Sequence, residues 1–195
     1  MYRVIGTVKT RAFRVMWMLE ELGQPYEVIP AAPQSDIALK HNPLGKIPAL
    51  VDGGNVLTDS VAIMTYLADK HGKLTAAAGT PDRATQDAMT LWLIDEMDAT
   101  LWTAAKHDFV LPEDKRVPEI APAMHSAFDR SAKSLAKQLG DKPFLMGEAI
   151  SLPDLLAVHC MGWAFGAGFP ALPDRLKAYS KQLRARPAFR AAGAR

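Results

Sequence analysis

Cysteine is almost missing from these 195 residues, with Cys160 alone present. That excludes an internal disulfide, a CxxC redox centre and a thiolate metal cage, and it fits a reducing compartment. The five histidines, at positions 41, 71, 107, 125 and 159, show no HxxxH pair or other ligand spacing, so a metal site has no support. An excess of one charge is lacking too: 23 Lys and Arg face 21 Asp and Glu, a net charge of +2. The first 75 residues hold 8 basic and 7 acidic groups and the rest hold 15 and 14, so neither part is a basic arm and no nucleic-acid partner is expected. The N-terminal MYRVIGTVKTRAF has no apolar core of a signal peptide, and the expected location is cytoplasmic. A long hydrophobic run is approached once, in LLAVHCMGWAFGAGFPALP (155–173). Gly162, Gly166, Gly168, Pro170 and Pro173 interrupt it, leaving about ten residues of good helix, too few for a bilayer. A buried core helix followed by a loop is expected there, with Cys160 as a small buried hydrophobe, and no membrane partner.

Hydrophobic content is 49%, enough for a sizeable core in one domain or two small ones. In the first third, turn signals set the order. Residues 2–5 form a short strand. Arg11–Leu22 carries apolar residues at 12, 15, 16, 19 and 22, a helical spacing that Gly23 stops. Residues 26–29 form a second strand, parallel to the first across the helix. Ser35 caps a short helical turn. Residues 49–51 and 56–57 flank AspGlyGlyAsn as a hairpin, and a helix capped by Asp59 or Ser60 runs to Gly72. This βαβ, short helix, ββα order is thioredoxin-like.

HGKLTAAAGTP (71–81) is Gly/Pro-punctuated and contains the expected linker, residues 74–81. The domains expected on either side are 1–73, thioredoxin-like α/β, and 82–195, all-α. Thr80 and Pro81 open a long helix with Met89, Leu93, Met97, Leu101 and Ala104 on one face. A second helix runs from about Pro118 to Leu139 and stops at Gly140, and SerLeuProAsp (151–154) is a capping box. Only residues 144–146 hint at a further strand.

One proline stands out. NPLGKIPAL (42–50) runs into a strand, yet Pro48 has no N–H for a ladder, so an edge or a bulge has to hold it. That stretch, followed by DSVAIMTYL (59–67), resembles the two-part signature of glutathione transferases, Asn-Pro-x-Gly-x-Val/Ile-Pro before a Glu/Asp-Ser-x-Ala-Ile helix start. MLEELG (18–23) and the SLPD box also sit where such proteins have them, so the resemblance covers essentially the whole chain without assigning a class. It implies a cis Ile47–Pro48 bond with Pro48 as the structural cis-proline. Ile47's backbone N–H and C=O would then pair with glutathione as an added strand does. It further implies that Asp59 and Ser60 hold the γ-glutamyl group, Ser60 and free helical N–H groups meeting its α-carboxylate and Asp59 its ammonium. Lys46 would meet the glycyl carboxylate. The family more often has Glu at the position of Asp59. A plain helix cap is the alternative for Asp59 or Ser60, and a solvated surface lysine the alternative for Lys46.

A glutathione transferase has to lower the thiol pKa from about 8.5, because the thiolate is the nucleophile. The resembled family uses Tyr, Ser or Cys near the start of the first helix, and none occurs between Gly6 and Arg14. Counting back from Gly23 puts Lys9, Thr10 and Arg11 in that slot. Thr10 and Arg11 are the catalytic candidates, one as hydrogen-bond donor and one as charge, with Thr10 as a simple helix cap the competing assignment. Trp102, His107 and Phe109 are candidates for an apolar second-substrate site, although such residues usually serve packing. The implied activity is conjugation of glutathione, as cosubstrate without a metal, to a small hydrophobic electrophile, a detoxifying role. The alternatives on the same scaffold are a glutathione-dependent peroxidase, disulfide reductase, isomerase or dehalogenase, and a non-catalytic binding module. A homodimer is expected.

Overall fold

The computed structural model describes residues 1–195 and divides into two compact units, residues 1–78 with 184–195, and residues 79–183. In the first unit, β1 (Tyr2–Ile5), α1 (Ala12–Leu22), β2 (Tyr26–Ile29), α2 (Asp36–His41), β3 (Ala49–Asp52), β4 (Asn55–Thr58) and α3 (Ser60–His71) follow in chain order. The crossover through α1 makes β1 and β2 parallel, with Val4 opposite Val28. The tight Gly53–Gly54 turn makes β3 and β4 antiparallel, and β3 also lies antiparallel to β1, giving the order β2-β1-β3-β4. Ile5, Ala31, Ala49 and Val51 form a buried apolar cluster, with Ile29 and Ile47 packed against it.

Nine of the eleven residues of α1 are buried. The helix stops at Gly23, whose left-handed φ of 68° lets its N–H reach the Glu20 carbonyl. Its outer side is covered by α9 (Pro187–Gly193), which belongs to the same unit. The Phe189 ring lies edge-on to Trp17 at 4.9 Å and to Phe13 at 5.0 Å. Arg186 grips Glu21 with two hydrogen bonds, of 2.6 and 2.7 Å, and Arg195 holds Glu20 at 2.6 Å. The expected second domain, 82–195, is thereby divided: its last segment returns to α1, because Trp17 and the two glutamates find their partners there. Tyr26 also donates to Glu20, and burial together with that bond pushes its phenol up to about 12.

The second unit is helical: α4 (Pro81–Trp92), α5 (Ala99–Ala105), α6 (Ala121–Leu139), α7 (Leu152–Gly166) and α8 (Asp174–Arg184), whose last residue falls to the first unit. Thr80 caps α4 by accepting from the Arg83 N–H. The long helix expected from Thr80 is interrupted by π-helical turns at Leu93–Asp98 and Lys106–Val110. Three successive four-residue steps, from 89 to 101, exceed the 3.6 residues of an α-turn. A straight helix would rotate that stripe off the core, and wider turns keep Leu93, Met97 and Leu101 buried. Residues 144–146 form no strand, only a bridge between Phe144 and Gly147. Asp154 completes the capping box of α7 and is buried, accepting from the N–H groups of Leu145 and Ser151 and from the hydroxyls of Ser151 and Tyr179. Cys160 is buried in α7, and no helix is long and apolar enough to cross a membrane.

Candidate functional site

Three segments of the first unit carry the singled-out residues: the turn from β1 into α1, the loop entering β3, and the start of α3. Gly6 sets the first. Its φ is 140°, and a Cβ there would lie 2.6 Å from the Ala12 Cβ and 3.6 Å from the Ile47 Cβ, so only glycine lets the head of α1 approach the β3 loop.

The β3 loop is held by its own polar groups. Asn42 is buried; its amide donates to the Lys46 carbonyl at 3.0 Å while its side-chain oxygen accepts from the Leu44 N–H at 3.0 Å. Gln34, at φ 64°, donates its backbone N–H to the Gly45 carbonyl at 2.8 Å, and its side-chain amide donates to the Leu44 carbonyl. So braced, the chain enters β3 through a cis Ile47–Pro48 bond. Pro48's missing N–H leaves no gap in the ladder, which starts at Ala49. Ile47's own N–H and C=O pair with no other group of the chain. The Lys46 side chain is exposed.

At α3, Asp59 stands at φ 67° as the N-cap, and one of its carboxylate oxygens, Oδ1, accepts from the N–H groups of Val61 (2.9 Å) and Ala62 (3.0 Å). Two helical donors expected to be open are therefore occupied, and the Ser60 N–H and the Asp59 Oδ2 are the groups left over. Ser60 is buried, 3% exposed, and its hydroxyl oxygen accepts from the Arg14 guanidinium at 3.2 Å. That contact ties α3 to α1 one turn beyond Thr10.

Thr10 opens α1. Its hydroxyl donates to the Thr7 carbonyl at 2.8 Å and accepts from the Ala12 N–H at 3.2 Å. A hydroxyl has one proton, so in this arrangement Thr10 holds the turn, and donation elsewhere requires rotation. Arg11 is half-buried beside it, and Lys9 is exposed. In the second unit, Trp102 is half-buried in α5, the His107 ring accepts from the Val117 N–H at 3.1 Å, and Phe109 is 64% exposed.

Two residues with structural weight at the site escape periodicity. Arg14 is 0% exposed, and its signal is an arginine flanked by Phe13 and Val15 inside an otherwise apolar helix face. Asn42 is visible only as the first residue of the NPLGKIP stretch.

A family model described as the glutathione S-transferase N-terminal domain matches residues 10–70. Glutathione S-transferase 3 of Zea mays is 32% identical over 201 residues, covering 90% of this chain and 85% of that protein. Glutathione S-transferase theta-1 of Rattus norvegicus is 34% identical over 155 residues, 72% of this chain; the match spans 61% of that relative, as it spans 62% and 66% of the theta-1 proteins of Bos taurus and Mus musculus. A glutathione transferase of Phanerochaete chrysosporium, solved in complex with oxidized glutathione, superposes with a TM-score of 0.82 at 25% identity over 99% of this chain and 94% of that one. A bacterial transferase solved as a ternary complex shares the fold, with a TM-score of 0.87 at 22% identity over 97% and 96% of the two chains.

Proposed function

The chain belongs to the glutathione S-transferase family, and from that premise we propose that it binds glutathione in its first unit and conjugates the thiolate to small hydrophobic electrophiles. The observation that carries the reading is Ile47. Its N–H and C=O are unpaired in a braced loop that touches the head of α1, so a peptide laid along it gains two backbone hydrogen bonds and brings its thiol to the Thr10–Arg11 turn. The uncommitted Ser60 N–H and Asp59 Oδ2 then suit the carboxylate and ammonium of the γ-glutamyl head, and Lys46 the glycyl carboxylate.

In the reaction, the thiol has to ionise before it attacks. Thr10 contributes by turning its hydroxyl from the Thr7 carbonyl to the sulfur, exchanging one hydrogen bond for another, and Arg11 contributes charge beside it. With the thiol proton released to solvent, the sulfur forms a bond to the electrophilic carbon. It either displaces the leaving group, which departs with the bonding pair, or adds to a double bond whose other carbon takes a proton from solvent, and glutathione leaves as the thioether. Glutathione is the cosubstrate and no metal takes part.

Calorimetry with glutathione, followed by a conjugation assay over a panel of electrophiles and peroxides, tests this. Binding with thioether formation is expected, and absence of any binding heat refutes it. One observation favours a second reading, a binding module without turnover: the Thr10 proton is committed to Thr7. Binding without turnover of any panel member would select that reading.

A further inference from the structure

We infer that Arg14 is a positioning residue that makes the Ser60 subsite selective for a free α-carboxylate on the bound γ-glutamyl group. This rests on the glutathione reading above and adds to it a residue that cannot itself touch the ligand, since Arg14 is 0% exposed. A guanidinium stays charged even when buried, and it has only donors to offer. One of them points at the Ser60 hydroxyl oxygen, at 3.2 Å. The consequence lies in the hydroxyl's single proton. With a lone pair facing a cation, the O–H has to turn away from Arg14, and a hydroxyl so polarised is a stronger donor.

Ser60 therefore presents its O–H beside its own uncommitted N–H at the first turn of α3, where the helix end is already positive. Without Arg14 the same hydroxyl could rotate and offer its oxygen, accepting from a neutral amide as readily as it donates to a carboxylate. Val61 and Ala62 cannot supply the missing polarity, because both of their N–H groups are held by Asp59. The donor behind Ser60 thus decides whether the hydroxyl offers its proton or its oxygen to what binds in front of it. It is also shielded: a charge enclosed by protein is screened by salt much less than one in solvent.

The experiment compares binding of glutathione and of its glutamyl α-amide by calorimetry in the wild type, Arg14→Met, Arg14→Lys, Ser60→Ala and the Arg14→Met/Ser60→Ala double variant, with thermal scans to verify folding. The wild type should prefer glutathione by about tenfold or more, as expected for loss of a hydrogen bond to a charged group. Arg14→Met should bring the two ligands within about twofold, chiefly by weakening glutathione, and should change the ratio no further once Ser60 is alanine. Arg14→Lys should fall between. A merely structural arginine would weaken both ligands alike, and that outcome, or an unchanged ratio, overturns the inference while leaving the glutathione reading intact. Should the Arg14 variants not fold, the wild-type preference decides: it should persist between about 50 mM and about 500 mM salt, and its collapse would assign the selectivity to exposed charges instead. A wild type that binds neither ligand refutes the glutathione reading, and the Arg14 role with it.

Discussion

Replacing Asp59 by asparagine, alanine and glycine separates two tasks that one carboxylate performs. Its Oδ1 caps α3 through Val61 and Ala62, while its Oδ2 is the proposed partner of the γ-glutamyl ammonium. Asp59→Asn keeps an oxygen for the cap and a side chain of the same shape at the positive φ of 67°, so stability should stay within about 0.5 kcal/mol of the wild type. Asp59→Ala loses the cap, costing about 1 kcal/mol, while the Cβ and its backbone strain stay as they are in the wild type. For a chain of this size about 1 kcal/mol lowers Tm by about 2–4 °C. Asp59→Gly relieves the backbone and should lose only a few tenths of a kcal/mol. Glutathione affinity should not follow this order. All three variants lack the charge, whose hydrogen bond to an ammonium is worth about 1.5–3 kcal/mol, or about 10- to 150-fold in Kd. Asp59 is exposed before the ligand arrives, which favours the low end, about tenfold. Thermal scans and calorimetry with glutathione measure the two quantities on the same samples. If Asp59→Asn binds glutathione as the wild type does, the ammonium assignment is wrong; if it melts as low as Asp59→Ala, the capping argument is.

At the other end of the site, Thr10→Val should raise the pKa of bound glutathione thiol, read by ultraviolet titration, and also cost about 1 kcal/mol because the hydroxyl braces Thr7 and Ala12. Arg11→Ala should raise it too, with a stronger salt dependence; if neither variant moves the midpoint, Lys9 is the next group to replace. Phe189→Ala should cost about 3 kcal/mol by uncovering Trp17 and Phe13, a fall in Tm of about 6–12 °C, and a fall under about 2 °C would deny α9 its place on α1. The neutral Tyr26 phenol is favoured in the folded state, so its stabilising contribution is complete below about pH 10 and lost as the pH rises to about 12. Subtracting the tyrosinate titration of Tyr26→Phe from that of the wild type should leave one phenol with a midpoint near about 12, and a midpoint near the ordinary 10.0 would refute the buried bond to Glu20. Light scattering should return twice the mass of one chain, the homodimer proposed for the working form; the mass of a single chain overturns it.

Where the deciding chemistry lies within a few residues, sequence alone determined the outcome. Gly23 and Gly72 end α1 and α3 in left-handed conformations, Ser35 and Thr80 cap their helices, and Ser151 with Asp154 makes the box, each because donor, acceptor and backbone freedom sit inside one turn. The apolar period of α1 and the Gly-Gly hairpin set the parallel β1–β2 pair and the antiparallel β3–β4 pair for the same reason, the β1–β3 pairing that joins them being tertiary, and the NPLGKIPAL and DSVAIMTYL stretches carried the family. Tertiary structure decided how the polar groups were divided. The Asp59 carboxylate could serve a ligand or its own helix, and only the folded hydrogen bonds show one oxygen turned inward to Val61 and Ala62. Thr10 could cap or donate, and the proximity of the Thr7 carbonyl shows where its proton goes. The Ser60 that accepts from Arg14 and the Arg186 that grips Glu21 lie 46 and 165 residues away in the chain. A hydrogen bond acts over about 3 Å, so no local pattern announces a pairing that exists only after the chain has folded back to bring those atoms together.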